Sequence, residues 1–157
     1  MSETATSVSI FLAMSCWSVA LVSAGRSAPI AWTAGLIFYL LHVFFAFDAF
    51  YEWSHHLAME TTARETAEVV GLESGLGLWV NYAFGVILAL DAAQQWLGRK
   101  RHFSRTIDWL VIFMIVNGAV VFAEGLTRLY GVIVIVTVIV LRWRRWRKRS
   151  ITVPESS

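Results

Sequence analysis

"IDWLVIFMIVNGAVVFAEGLTRLYGVIVIVTVIVL", Ile107 to Leu141, is an apolar run broken near its middle by Glu124, Gly125, Arg128 and Gly131. Its reading decides the fold. As one helix it would be about 52 Å long at 1.5 Å per residue. The hydrocarbon core of a bilayer is only ~30 Å thick. A continuous helix would also hold Glu124 and Arg128 near mid-membrane and put the basic clusters at its two ends on opposite sides. As a hairpin, each arm has about the length of one span. Glu124 to Arg128 then forms a tight turn in which glycine supplies the backbone freedom, and both basic clusters fall on one side.

Working outward, three further apolar stretches precede this hairpin: Val8 to Ala24, Ile30 to about Tyr51, and Leu76 to Leu97. Apolar residues make up 57% of the 157 positions and charged residues 15%, too few charges to coat a soluble domain. The expected fold is an all-α integral membrane protein, a five-helix transmembrane bundle. Residues 1–150 form its single helical domain, with spans at about 8–24, 30–52, 76–97, 106–123 and 128–143, and residues 144–157 form a basic cytoplasmic tail. The lone cysteine, Cys16, has no partner in the chain for a disulfide and reads as a small core residue.

Basic residues orient the bundle. Arg26, the loop Arg99-Lys100-Arg101-His102 with Arg105, and the tail Arg142-Trp143-Arg144-Arg145-Trp146-Arg147-Lys148-Arg149 share one side in this topology. The positive-inside rule makes that side cytoplasmic. Only Arg64 and Arg128 are left outside, together with most of the acids. The expected location is the plasma (inner) membrane, with the amino terminus outside and the carboxyl terminus in the cytoplasm. The first stretch lacks the positive lead-in of a signal peptide and is read as a retained span. Tryptophan and arginine in the tail suit the headgroup region, so the expected partners are the bilayer and its anionic phospholipids, with no nucleic acid.

Between Leu36 and Val70 there is no glycine or proline. The second helix can run on for about 52 Å, longer than the membrane is thick, and is expected to extend beyond it on the outer side, either projecting outward or bending onto the surface, and to stop at Gly71. On such a helix Asp48, Glu52 and His55 share one face with Met59. His42, Trp53, His56 and Glu60 share another, about 120° away. Each face offers a carboxylate and an imidazole one turn apart, the chemistry of a divalent-metal site or a proton relay. Asp48, Glu52, His55, His56 and Glu60 are therefore candidate metal ligands, and the other reading is residues that simply face water and headgroups. His56 is expected to turn into the bundle and His55 away.

His42, Asn81, Asn117 and Glu124 are candidates for a polar cavity, because polar groups in lipid turn toward the bundle interior. Interhelical hydrogen bonding that only fixes packing is the alternative. Haem is disfavoured: His42 has no second histidine at matching depth on another span. Gly77, Asn81, Gly85, Ala89 and Ala93 recur every four residues and read as a packing stripe. No nucleophile elbow, zinc-protease, P-loop or dinucleotide motif is present.

The expected function is that of a small non-enzymatic membrane protein, an accessory or binding subunit with a polar site on its outer face, alone, as a homo-oligomer or with a membrane protein partner. The alternatives are a metal-dependent membrane enzyme or metal-handling protein using those His and Glu residues, and a small proton-coupled transporter.

Overall fold

The computed structural model describes residues 2–23, 25–98, 104–121 and 125–151. Glu124, the loop Arg99 to His102 and the tail beyond residue 151 lie outside the described residues. The described chain is helical, with no strand. Its elements are α1 (Ser2–Val22), α2 (Ser27–Phe50), α3 (His55–Val70), α4 (Leu76–Trp96), α5 (Ser104–Val116) and α6 (Gly125–Ile151). A π-helical turn, Asn117–Val121, continues α5.

Four of these, α1, α2, α4 and α6, are long and apolar enough to cross a membrane. Large apolar side chains such as Ile37, Leu40, Val86, Leu90, Ile133 and Val136 stand exposed along them, as lipid-facing residues would. Serines in α1 do not break the helix. Ser9, Ser15 and Ser18 donate back to the carbonyls of Ala5, Phe11 and Met14 at 2.7–2.8 Å, which satisfies each hydroxyl within its own helix.

The run from Ile107 to Leu141 is not one helix. α6 begins at Gly125 with a left-handed φ of +56°, and α5 and α6 lie antiparallel. Near the start of α6, Gly131 meets Ala119 so closely that a Cβ there would sit 2.8 Å from the Ala119 carbonyl oxygen. Near the far end of α6, Arg142 Nη1 lies 3.0 Å from Asp108 Oδ2 on the first turns of α5. These two contacts, at opposite ends of the pair, define the hairpin.

The extended second helix is corrected. The helix expected to run unbroken to Val70 ends at Phe50, and Glu52 (φ +47°) and Trp53 (φ +58°) turn the chain through left-handed conformations. Neither is glycine, and such geometry costs about 1–2 kcal/mol per residue. Contacts back onto the end of α2 hold it: the Trp53 ring lies 5.0 Å from Phe44, edge to face, and the Trp53 backbone N–H donates to the Phe47 carbonyl. Ser54 then caps α3, its hydroxyl accepting from Leu57 N–H. α3 folds back against the start of α4, and Gly71 (φ +72°) ends it as expected, its N–H donating to the Ala67 carbonyl.

The core sits among α1, α2, α4 and the α5–α6 hairpin. At its centre Trp17, Tyr39 and Phe84 stack tilted or edge to face at 5.3–5.8 Å. Trp17 reaches this position because Gly35 leaves no side chain under its indole. In the small-residue stripe of α4, Gly77 faces Thr62 of α3 and Gly85 faces Tyr39 of α2, whereas Ala89 and Ala93 are exposed.

Candidate functional site

Toward the end of the bundle that carries α3, the helices separate around a cavity of about 310 Å³. Every helix contributes to its wall: Ile10, Met14 and Trp17 from α1; Tyr39, His42, Val43, Ala46 and Phe47 from α2; Thr62 from α3; Leu78, Asn81, Tyr82 and Phe84 from α4; Met114 and Ile115 from α5; Thr127 from α6. The π turn adds Gly118 and Ala119, and Tyr51 stands just beyond α2. A π turn widens the local backbone spiral, and such turns recur at functional sites.

Bulky rings hold the space open. The Trp17–Tyr39–Phe84 cluster forms part of its wall. Tyr39 is fixed by donating its hydroxyl to the Asn81 carbonyl at 2.8 Å, which ties α2 to α4. One turn along α2, the His42 imidazole is held by Nδ1, 3.0 Å from the Thr6 carbonyl on α1. A carbonyl can only accept, so Nδ1 carries the proton and Nε2 of the neutral ring is an acceptor.

Beside Tyr82 lies a second aromatic group. His55 stacks on the Tyr82 ring at 5.8 Å, with Nδ1 3.2 Å from its hydroxyl, and Trp79 stands edge-on to both rings. Tyr51 and Glu65 lie close enough to feel each other's charge. Burial, then the Glu65 carboxylate and Tyr82, push the Tyr51 phenol up. Burial also raises Glu65 above the ordinary carboxylate range; Arg64 opposes the shift and Glu68 adds to it.

The expected metal ligands are not brought together. Among the described residues no three of His, Cys, Asp and Glu converge on a point that could hold an ion. His56 and Glu60 form a solvated i, i+4 pair at 3.4 Å, with the His56 side chain 81% exposed. His55 packs on α4 instead. Asp48 is exposed on the last turn of α2, and Glu52 lies in the left-handed turn. The expected orientation of the histidines is thus reversed: His55 meets the bundle and His56 faces away. The turn at 51–54 resets the helical phase, so faces counted along a continuous helix do not survive it.

Of the expected polar-cavity residues, His42 and Asn81 line the cavity. Asn117 is half-buried in the π turn and is not part of the wall. Glu124 is outside the described residues. Sequence reasoning missed the aromatic wall. Its signal was tryptophan and tyrosine placed well inside their spans at Trp17 and Tyr39, away from the helix ends where membrane proteins concentrate them.

Comparison with protein-family models, with curated proteins and with solved structures finds no match for the chain.

Proposed function

We propose that this chain is a multi-pass membrane protein that binds a small, largely apolar molecule in the cavity, as a binding or accessory subunit and not as an enzyme. The observation that carries the reading is the cavity itself. Its volume lies at the lower end of the range for small-molecule sites, about 300–1,000 Å³, and its wall has their usual make-up, mostly apolar and aromatic with a few polar groups. α5 with its π turn is the fifth span in this reading. The α3 end faces outward and the basic end faces the cytoplasm, in the plasma membrane. At the basic end Arg147 lies over the Trp143 ring at 4.3 Å, a pair suited to anionic headgroups.

The test is retention. Protein purified in nanodiscs should carry one small molecule at near-stoichiometric amount, found by extraction and mass spectrometry against empty nanodiscs. Ala46→Phe, which puts a ring into the cavity, should remove it. If wild type and variant retain the same material, the cavity is not the binding site.

A further inference from the structure

We propose that the cavity selects an apolar molecule bearing a hydroxyl group, an alcohol or phenol, which donates its hydrogen bond to Nε2 of His42. This deepens the binding reading and rests on it. Two polar groups on α2 face the cavity, and both have already used their hydrogens. His42 has spent its N–H on Thr6. Among the described residues Nε2 has no partner, since the Thr6 bond is the one hydrogen bond the imidazole makes. Tyr39, three residues earlier on the same helix, has spent its O–H on the Asn81 carbonyl, so its oxygen too has only lone pairs to offer.

Both acceptors line the same cavity, whose wall is mostly apolar and aromatic. A hydrocarbon would displace any water from Nε2 and leave it unpaired. A hydroxyl satisfies the imidazole, and its apolar body lies against Met14, Trp17 and Phe84. Selection by an unpaired polar group is stronger than selection by shape alone, because the wrong ligand leaves that group without a partner.

The probes are 4-hexylphenol and hexylbenzene, which differ by one hydroxyl. Equilibrium dialysis of protein-loaded against empty nanodiscs corrects for partition into lipid. Wild type should bind the phenol about tenfold more tightly, the worth of one well-placed hydrogen bond. In His42→Asn the side-chain amide takes the place of Nδ1, can still donate to Thr6, and reaches no further. That variant should bind both probes alike, with hexylbenzene within about twofold of wild type. Equal binding of the two probes by wild type overturns the hydroxyl proposal and leaves the cavity reading standing; this outcome needs no variant to fold. A phenol preference that persists in His42→Asn assigns the selection to another group and also overturns it. Binding of neither probe above empty nanodiscs removes the cavity reading itself.

Discussion

The two ends of the bundle are built in opposite ways. At the basic end short polar contacts close the helices on one another. Trp96 Nε1 donates to Thr33 at 2.9 Å and Arg142 meets Asp108, and within α4 Gln95 donates to the deeply buried Asp91. The described helices there keep α-helical backbone up to their glycine-marked ends, Gly25 and Gly98. At the α3 end the backbone departs from the α-helix twice, at the left-handed pair Glu52-Trp53 and at the π turn Asn117–Val121. There the rings of Trp17, Tyr39 and Phe84 line the cavity, while the start of α6 still packs tightly on the π turn at Gly131 and Ala119. A bundle that holds a cavity at one end needs the other end to carry its cohesion.

The largest effect tests which end faces which side, and it is all-or-none. Reporter fusions after Arg101 and after Lys148 should both read cytoplasmic, and one near Thr66 extracytoplasmic. Opposite readings at Arg101 and Lys148 would break the comparison, since the two basic clusters would no longer share an end. Next is the strength of the locks. Arg142→Met leaves the mostly buried Asp108 carboxylate without its arginine. Because Arg142 is partly exposed, the expected loss is about 1–2 kcal/mol, below that for a fully buried pair, read as a lower midpoint in chemical or thermal unfolding.

At the α3 end a change can have the opposite sign. Glu52→Gly removes a left-handed strain of about 1–2 kcal/mol and gives part of it back as unfolded-state entropy. A net gain of about 0.5 kcal/mol is expected, whereas an equal loss would show that the turn is not held in this conformation. The smallest effect sharpens the electrostatics around Tyr51. The raised Glu65 pKa means that the folded state holds the proton more tightly than the unfolded chain does. Stability should therefore fall as pH rises from the ordinary carboxylate range through the folded-state value. Glu65→Gln should flatten that part of the profile of Tm against pH and leave the rest unchanged.

The helices and their glycine-marked breaks were the more legible part of the sequence. Apolar runs and Gly71 located the helices and one of their stops, and the acid-turn-base pattern at Glu124 to Arg128 led to the hairpin. The break at 51–54 was not legible from residue types. Glu52 and Trp53 are ordinary helix residues, held left-handed by Phe44 and Phe47, contacts that exist only after folding. That single miss carried over to the site, because every face assignment beyond Tyr51 assumed unbroken helical phase. His42 was legible as a polar residue in mid-span, and its environment was not. A cavity is a volume that the surrounding side chains leave unfilled, and no residue in the chain encodes it alone.

The π turn has a consequence for how the chain tolerates changes in length. It takes up one residue more than an α-helical turn uses, and that extra residue displaces the helical phase by about 100°. Removing Gly118, which makes no close packing contact, would let Ser104–Val121 close into a continuous α-helix. The deletion would be absorbed inside a helix, where most single-residue deletions are ruinous, and its cost would fall on the cavity wall that the extra residue pushes outward. This stretch therefore carries a spare residue, and a chain one residue shorter here should keep its fold and lose the shape of its site.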